Sequence, residues 1–153
     1  ERHIRKSDIT KSHCKIDKSC CQTASEAHQY CYRHQCFETT RQVAEYLELK
    51  EGAYSTSFQS RLGVDPWLQP YTDQTVARFA KKGIKNMAIV TPAFVSDCLE
   101  TLEEIGMEAA EDFEEKGGEE LHVIPCINTR TDWVNVMSRW IDQWAKAETV
   151  TSA

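Results

Sequence analysis

Residues 85–90 read Lys85-Asn86-Met87-Ala88-Ile89-Val90, and three residues later Phe94 to Gly106 reads FVSDCLETLEEIG. The first is an apolar run of strand length; the second repeats its apolar residues at helical spacing. A strand that feeds a helix at once opens a crossover unit, and the same alternation recurs on either side. Upstream, Thr23 to Leu49 reads as a helix followed by Gly52, Ala53 to Phe58 as a short strand, and Thr72 to Lys82 as a helix closed by Gly83. Downstream, Leu121 to Ile124 reads as a strand and Asp132 to Lys146 as a helix bearing Trp133, Trp140 and Trp144. Strands separated by helices imply right-handed crossovers, hence an α/β chain whose parallel sheet carries helices on both faces. Ligands of such sheets sit beyond the carboxyl ends of the strands, so the loops after Phe58, Val90 and Ile124 are expected to line one crevice.

The chain has 153 residues, 41% hydrophobic and 27% charged, which suits one globular domain with a real core. No apolar run approaches the roughly 18–20 residues of a membrane span, and no signal-peptide pattern is present, so a cytoplasmic location is expected. Weak membrane attachment and a homodimeric parent both stay open. The first residue is Glu1 rather than Met, which points to a piece of a longer protein. Charge is unevenly placed: residues 1–50 hold nine Lys/Arg against seven Asp/Glu, the remainder nine against seventeen. That argues against a nucleic-acid partner and suits cations or a basic partner.

Between Asp97 and Glu120 stand eleven acidic residues and one base, Lys116. At about 100° per residue, Val95, Cys98, Leu99, Leu102, Ile105, Ala109 and Phe113 form one apolar stripe, with Glu100, Glu104, Glu108, Glu111 and Glu115 opposite. Periodicity alone favours the plain reading, an amphipathic helix with its charged face in water. Two details pull the other way. The helix starts just after a strand, so Ser96, Asp97 and Glu100 face the crevice mouth. Gly106 interrupts it, and an irregular turn such as a π-bulge often marks a functional site.

Here the residues resemble a family. Ser96-Asp97-Cys98-Leu99-Glu100-Thr101-Leu102 is similar to the signature of ferrochelatases, which insert ferrous iron into a porphyrin to make haem. Phe58-Gln59-Ser60-Arg61-Leu62-Gly63, Pro66-Trp67-Leu68-Gln69-Pro70-Tyr71-Thr72-Asp73, Thr91-Pro92-Ala93-Phe94 and the stretch from Gly117 to Asn128 continue the likeness in order, most closely with bacterial members. The resemblance implies a chelatase-like half domain with Rossmann- or flavodoxin-like layering: residues 32–153 as the C-terminal α/β domain of a two-domain enzyme, and residues 1–31 as a cysteine-rich loop insertion. The missing N-terminal half would supply the other wall of the porphyrin cleft. Residues 1–6 resemble those that follow the family's catalytic histidine, which would therefore lie just upstream; His3 is not its equivalent.

The resemblance also gives the carboxylates roles. Glu100 corresponds to the active-site glutamate that removes pyrrole protons or guides the metal, and Glu104 and Glu108 to an acidic ladder along which ferrous iron, the substrate, travels. Carboxylate oxygens can hold Fe²⁺ loosely enough to release it. Arg61, Trp67, Ser96 and Asp97 are candidate substrate-binding residues; Arg61 could equally cap the cleft rim, and Trp67 anchor its loop. Cys98, where many members have His, reads as buried packing. Glu103, Glu111, Glu114 and Glu115 read as solvated surface.

Cys14, Cys20, Cys21 and Cys31 fall within eighteen residues of polar chain. Four thiolates suit Zn²⁺ or an iron–sulfur cluster, and no Cys-x-x-Cys pair of the usual zinc kind is present. Because some ferrochelatases hold a 2Fe–2S cluster on such an insertion, the resemblance favours that cofactor, with Cys36 in reserve and His13, His28 and His34 as alternative nitrogen ligands. A reading of another class competes: a non-catalytic iron–sulfur or zinc-binding module on an α/β scaffold. A cobalt chelatase of similar fold fits the Trp-Leu-Gln-Pro and Ser-Asp-x-x-Glu-Thr-Leu stretches less well.

Overall fold

A computed structural model describes residues 6–15, 17, 19–59 and 67–151. Its centre is a parallel pair of strands, β1 (Asn86–Ile89) and β2 (Glu120–Val123), in the register Asn86 to Glu120 through Ile89 to Val123. The parallel α/β class expected from the sequence is what is observed. The crossover runs through a π-helix (Glu100–Glu108) continued by an α-helix (Ala109–Glu115).

Along both strands half-buried and exposed residues alternate, as strand geometry requires. Met87, Ile89 and Leu121 pack onto Val76, Ala80 and Phe113. The α-helices are α1 (Tyr32–Tyr46), α2 (Thr72–Lys81), α3 (Ala109–Glu115) and α4 (Thr131–Thr151), and Val76 and Ala80 lie on α2. Thus α2 and α3 share one face of the sheet, while Ala88 and His122 on the other face are exposed. Phe113 is fully buried, a burial that contributes roughly 1.5–3 kcal/mol. A Cβ on Gly118 would lie 2.3 Å from the Phe113 ring, so only glycine allows this close approach.

Three expected elements differ. The helix expected over Thr23 to Leu49 is two pieces, a 3-10 turn (Glu26–Tyr30) capped by Ser25 and then α1. They are separated at Cys31, whose extended backbone (φ −89°, ψ 104°) leaves the helix as its side chain turns into the interior. The strand expected over Ala53 to Phe58 does not join the sheet; Phe58 makes one isolated parallel bridge to Tyr71. Its polar side chains bond to helices instead: Thr56 Oγ1 donates to Thr40 Oγ1 at 2.8 Å, and Ser57 and Thr72 share a hydroxyl pair at 3.1 Å. The helix expected from Phe94 begins only after Cys98. Phe58 and Leu68 form a second small core with Cys14, Cys36 and Phe37 against it. On α4, Trp140, Ile141 and Trp144 are exposed. No described helix is long and apolar enough to cross a membrane.

Candidate functional site

The late start of the acidic helix has a tertiary cause. Asp97 N donates to Asn128 Oδ1 at 2.9 Å, and Asn128 Nδ2 donates back to Asp97 Oδ2 at 2.6 Å. Thr101 Oγ1 and Cys126 N donate to Asp97 Oδ1. With its amide and both carboxylate oxygens engaged across the loops, Asp97 is drawn out of the helical path. The Asn128 amide, followed by Cys126, holds its carboxyl below the usual range.

Beyond it the backbone adopts i→i+5 bonding, as in Ala109 N donating to Glu104 O. A π-helix turns by less per residue than an α-helix, so residues four apart stay nearly in line. Thr101, Ile105, Ala109 and Phe113 accordingly face inward. Leu99 and Leu102, assigned to the apolar stripe by an α-helical wheel, are 67% and 60% exposed; the wheel overran the true period. A Cβ on Gly106 would sit 3.2 Å from Thr101 O, so glycine accommodates the turn tightly.

The same geometry aligns Glu100, Glu104, Glu108 and Asp112 along a crevice of about 520 Å³, whose other wall is Phe58, Gln59, Tyr71, Thr72 and Asp73. Asp112, not Glu111, continues the row past Glu108. Glu103, Glu111, Glu114 and Glu115 are exposed, as expected. Gln59 Nε2 donates to Glu104 Oε2 at 2.5 Å. The Cys98 thiol, then the local backbone, holds the Glu100 carboxyl below its ordinary range, so Glu100 is an anion at neutral pH. Cys98 is therefore half-buried beside a carboxylate rather than packed in a core, because the helix begins after it. Among the described residues, neither Lys nor Arg lines this crevice. Such an anionic row can attract a divalent cation and accept protons.

Of the three loops expected to line the crevice, the one after Phe58 does so through Gln59. The loops after Val90 and Ile124 meet each other instead, through Asp97 and Asn128. Ser96 is exposed and Trp67 is 37% exposed; Arg61 lies outside the described residues. Gln59, Asp73 and Asp112 escaped sequence reading. The signal for Asp112 was its place four residues after Glu108, whereas nothing local ties Gln59 to Glu104.

The cysteine segment is organised by Asp8. Its carboxylate accepts from Thr10 N and Oγ1, His13 N and Cys14 N at 2.6–3.1 Å. Cys20 is buried, and its sulfur accepts from Lys15 N and Arg33 Nη2, both at 3.2 Å. Burial pushes the Cys20 thiol up, but the Lys15 amide and the Arg33 guanidinium outweigh it and hold it below the usual value. Cys14 is raised by burial and by the neighbouring Cys31 and Cys20, against a hydrogen bond with Ser7. His28 stacks on His34 with centroids 3.7 Å apart, and His13 Nε2 lies 3.3 Å from His28 Nε2. All seven cysteines are free thiols. Among the described residues, no three His, Cys, Asp or Glu side chains are gathered to hold one metal ion. The donor set fits a thiolate-ligated group in kind, with soft sulfurs and N–H donors to stabilise one of them as an anion, but it is not a preassembled cage.

The sequence matches the family model for Ferrochelatase over residues 9–145. It is 47% identical over 139 residues to a ferrochelatase of Pseudomonas fluorescens (strain SBW25), covering 90% of this chain and 41% of that protein. A ferrochelatase of Opitutus terrae is 45% identical over 146 residues (95% and 42%), and one of Legionella pneumophila (strain Lens) 43% over 146 residues (94% and 42%). The chain thus spans about two fifths of the length of these relatives. On a match that runs through the acidic π-helix, the crevice and the cysteine segment alike, the chain belongs to the ferrochelatase family.

Proposed function

We propose that this chain is the C-terminal half of an enzyme that inserts Fe²⁺ into a porphyrin, releasing two pyrrole protons, in haem biosynthesis. The observation that carries the reading is the row Glu100, Glu104, Glu108 on a π-helix along the crevice wall. Glu100, whose carboxyl is held below its ordinary range, accepts a pyrrole proton; Glu104 and Glu108 pass Fe²⁺ toward it. Weak oxygen ligation lets the ion move on to the pyrrole nitrogens. Arg61, Trp67, Ser96 and Asp97 are assigned to the porphyrin side, Asp97 through the loop it holds, since its oxygens are already engaged. The remaining part of the enzyme closes the cleft and brings the catalytic histidine. We place the enzyme in the cytoplasm, on the reading that a dense cysteine cluster in a reducing compartment binds metal rather than forming disulfides.

Residues 1–31 act as an insertion whose Cys14, Cys20, Cys21 and Cys31 hold a 2Fe–2S cluster. When bound, such a cluster supplies thiolate–iron bonds that tie down a polar loop. The deciding experiment is an anaerobic iron-insertion assay on the full-length enzyme beside this chain alone. The full-length protein should turn over and the isolated chain should not exceed the spontaneous rate. A full-length protein that bound iron without inserting it would favour the metal-binding module instead.

A further inference from the structure

Gln59 and Glu104 stand 45 residues apart in sequence and meet side chain to side chain at 2.5 Å. The backbone just before Gln59 is fixed on both sides: Phe58 N donates to Pro70 O at 2.9 Å, and Thr72 N to Phe58 O at 3.2 Å. The Phe58 ring is buried against Leu68 and meets Phe37 edge to face. Gln59 therefore reaches across the crevice from an anchored base.

We propose that Gln59 is a positioning residue for Glu104. It holds one carboxylate oxygen with a neutral donor, so that the middle member of the acidic row offers a single free oxygen to a divalent cation. This inference rests on the reading of that row as an Fe²⁺ path.

The residue type is what the task requires. A carboxylate fixed at one oxygen keeps the other aimed into the crevice, where it can ligate a divalent cation, whereas a carboxylate free to swing away holds the ion less well. A Lys or Arg in place of Gln59 would neutralise the carboxylate and repel the ion. An amide donates one N–H, adds no charge and leaves the second oxygen available. Glu104 also stands between Glu100 and Glu108, whose like charges push its side chain away from the row. The Gln59 amide opposes that displacement.

The test uses the full-length enzyme with Gln59→Leu, Gln59→Glu, Glu104→Gln and the double variant Gln59→Leu/Glu104→Gln. Steady-state kinetics would be read for both substrates, and Mn²⁺ binding by electron paramagnetic resonance without porphyrin. Gln59→Leu should raise the KM for Fe²⁺ about fivefold and leave kcat and the porphyrin KM within about twofold. Gln59→Glu, which sets a second carboxylate beside Glu104, should tighten Mn²⁺ binding about tenfold and lower kcat. The double variant should be no worse than Glu104→Gln alone, because both changes remove one interaction. An Fe²⁺ KM unmoved by Gln59→Leu but raised by Glu104→Gln would overturn the inference and spare the iron path, as would fully additive effects in the double variant. If Glu104→Gln itself moved neither the Fe²⁺ KM nor Mn²⁺ affinity, the iron-path reading would fall and this inference with it.

Discussion

Asp97 and Asn128 exchange two hydrogen bonds, N to Oδ1 at 2.9 Å and Nδ2 to Oδ2 at 2.6 Å, and so clamp the loop after β1 to the loop after β2. Asn128 N also donates to Val95 O at 2.9 Å. Asn128 sits at φ 52°, in the left-handed region that Asn tolerates better than most residues. Two substitutions separate these contributions. Asn128→Gly loses the side-chain pair but keeps the backbone shape; Asn128→Ala loses the pair and adds left-handed strain of about 1–2 kcal/mol. In urea denaturation the order of stability should be wild type, then Gly, then Ala. An Ala variant as stable as the Gly variant would show that the left-handed backbone at Asn128 contributes nothing to the clamp.

Glu100 lines the crevice and Glu115 is exposed away from it, so on the proposed function the two should differ in their effect on turnover. In the full-length enzyme Glu100→Gln should lower turnover about hundredfold, the scale of losing a positioned base. The melting temperature should fall only slightly, since the amide keeps the size and polarity and loses only the hydrogen bonds that favour the anion. Glu115→Gln, exposed and away from the crevice, should stay within about twofold of wild type. Equal losses at both positions would erase the distinction.

How far the sequence carried this reading depended on whether a feature is local. The strand at 85–90 and the helix at 72–82 were legible because apolar spacing and a closing Gly83 are local signals, and they appear as β1 and α2. Glu100, Glu104 and Glu108 were legible as a row because a four-residue spacing survives in either helix type. The extent of the π-helix was not: Gly106 signalled only an irregular turn, so an α-helical wheel put Leu99 and Leu102 on the buried side, whereas both are exposed. The start after Cys98 was hidden as well, because it depends on Asn128, 31 residues from Asp97. Ala53 to Phe58 has strand-like composition, yet Thr56 and Ser57 found hydroxyl partners on helices.

Asp8 ties the acid sensitivity of the cysteine segment to one carboxylate. The Thr10 hydroxyl, the Cys14 amide and the His13 amide hold it well below the usual carboxylate range, against the opposing effect of burial. A depressed carboxyl stabilises the fold above its unfolded pKa, about 4, and that contribution fades as pH falls toward the folded value. Wild-type protein should therefore lose stability steadily below about pH 4, measured as the urea midpoint. Asp8→Asn cannot accept these N–H bonds through both atoms, so it should be less stable at pH 7 and flatter in acid. A variant with the wild-type slope would assign the acid response to other carboxylates.

The cysteines make the sharpest test of the proposed insertion and its cluster. Cys14, Cys20 and Cys31 are electrostatic neighbours, and the Cys20 sulfur already receives two N–H donors. Cys126 lies elsewhere, its sulfur 3.3 Å from Thr91 Oγ1 and its amide on Asp97. Full-length protein purified without oxygen should be red-brown, with about two irons and two sulfides per chain if a 2Fe–2S cluster is bound. Cys14→Ser or Cys31→Ser should abolish the colour, and Cys126→Ser should keep it. Because the segment is remote from the acidic row in sequence, the colourless variants should lose stability before they lose intrinsic turnover at low temperature. Protein that is colourless under these conditions and carries stoichiometric zinc would replace the cluster with a structural zinc site. Colour retained in Cys14→Ser and lost in Cys36→Ser would move the ligand set onto α1.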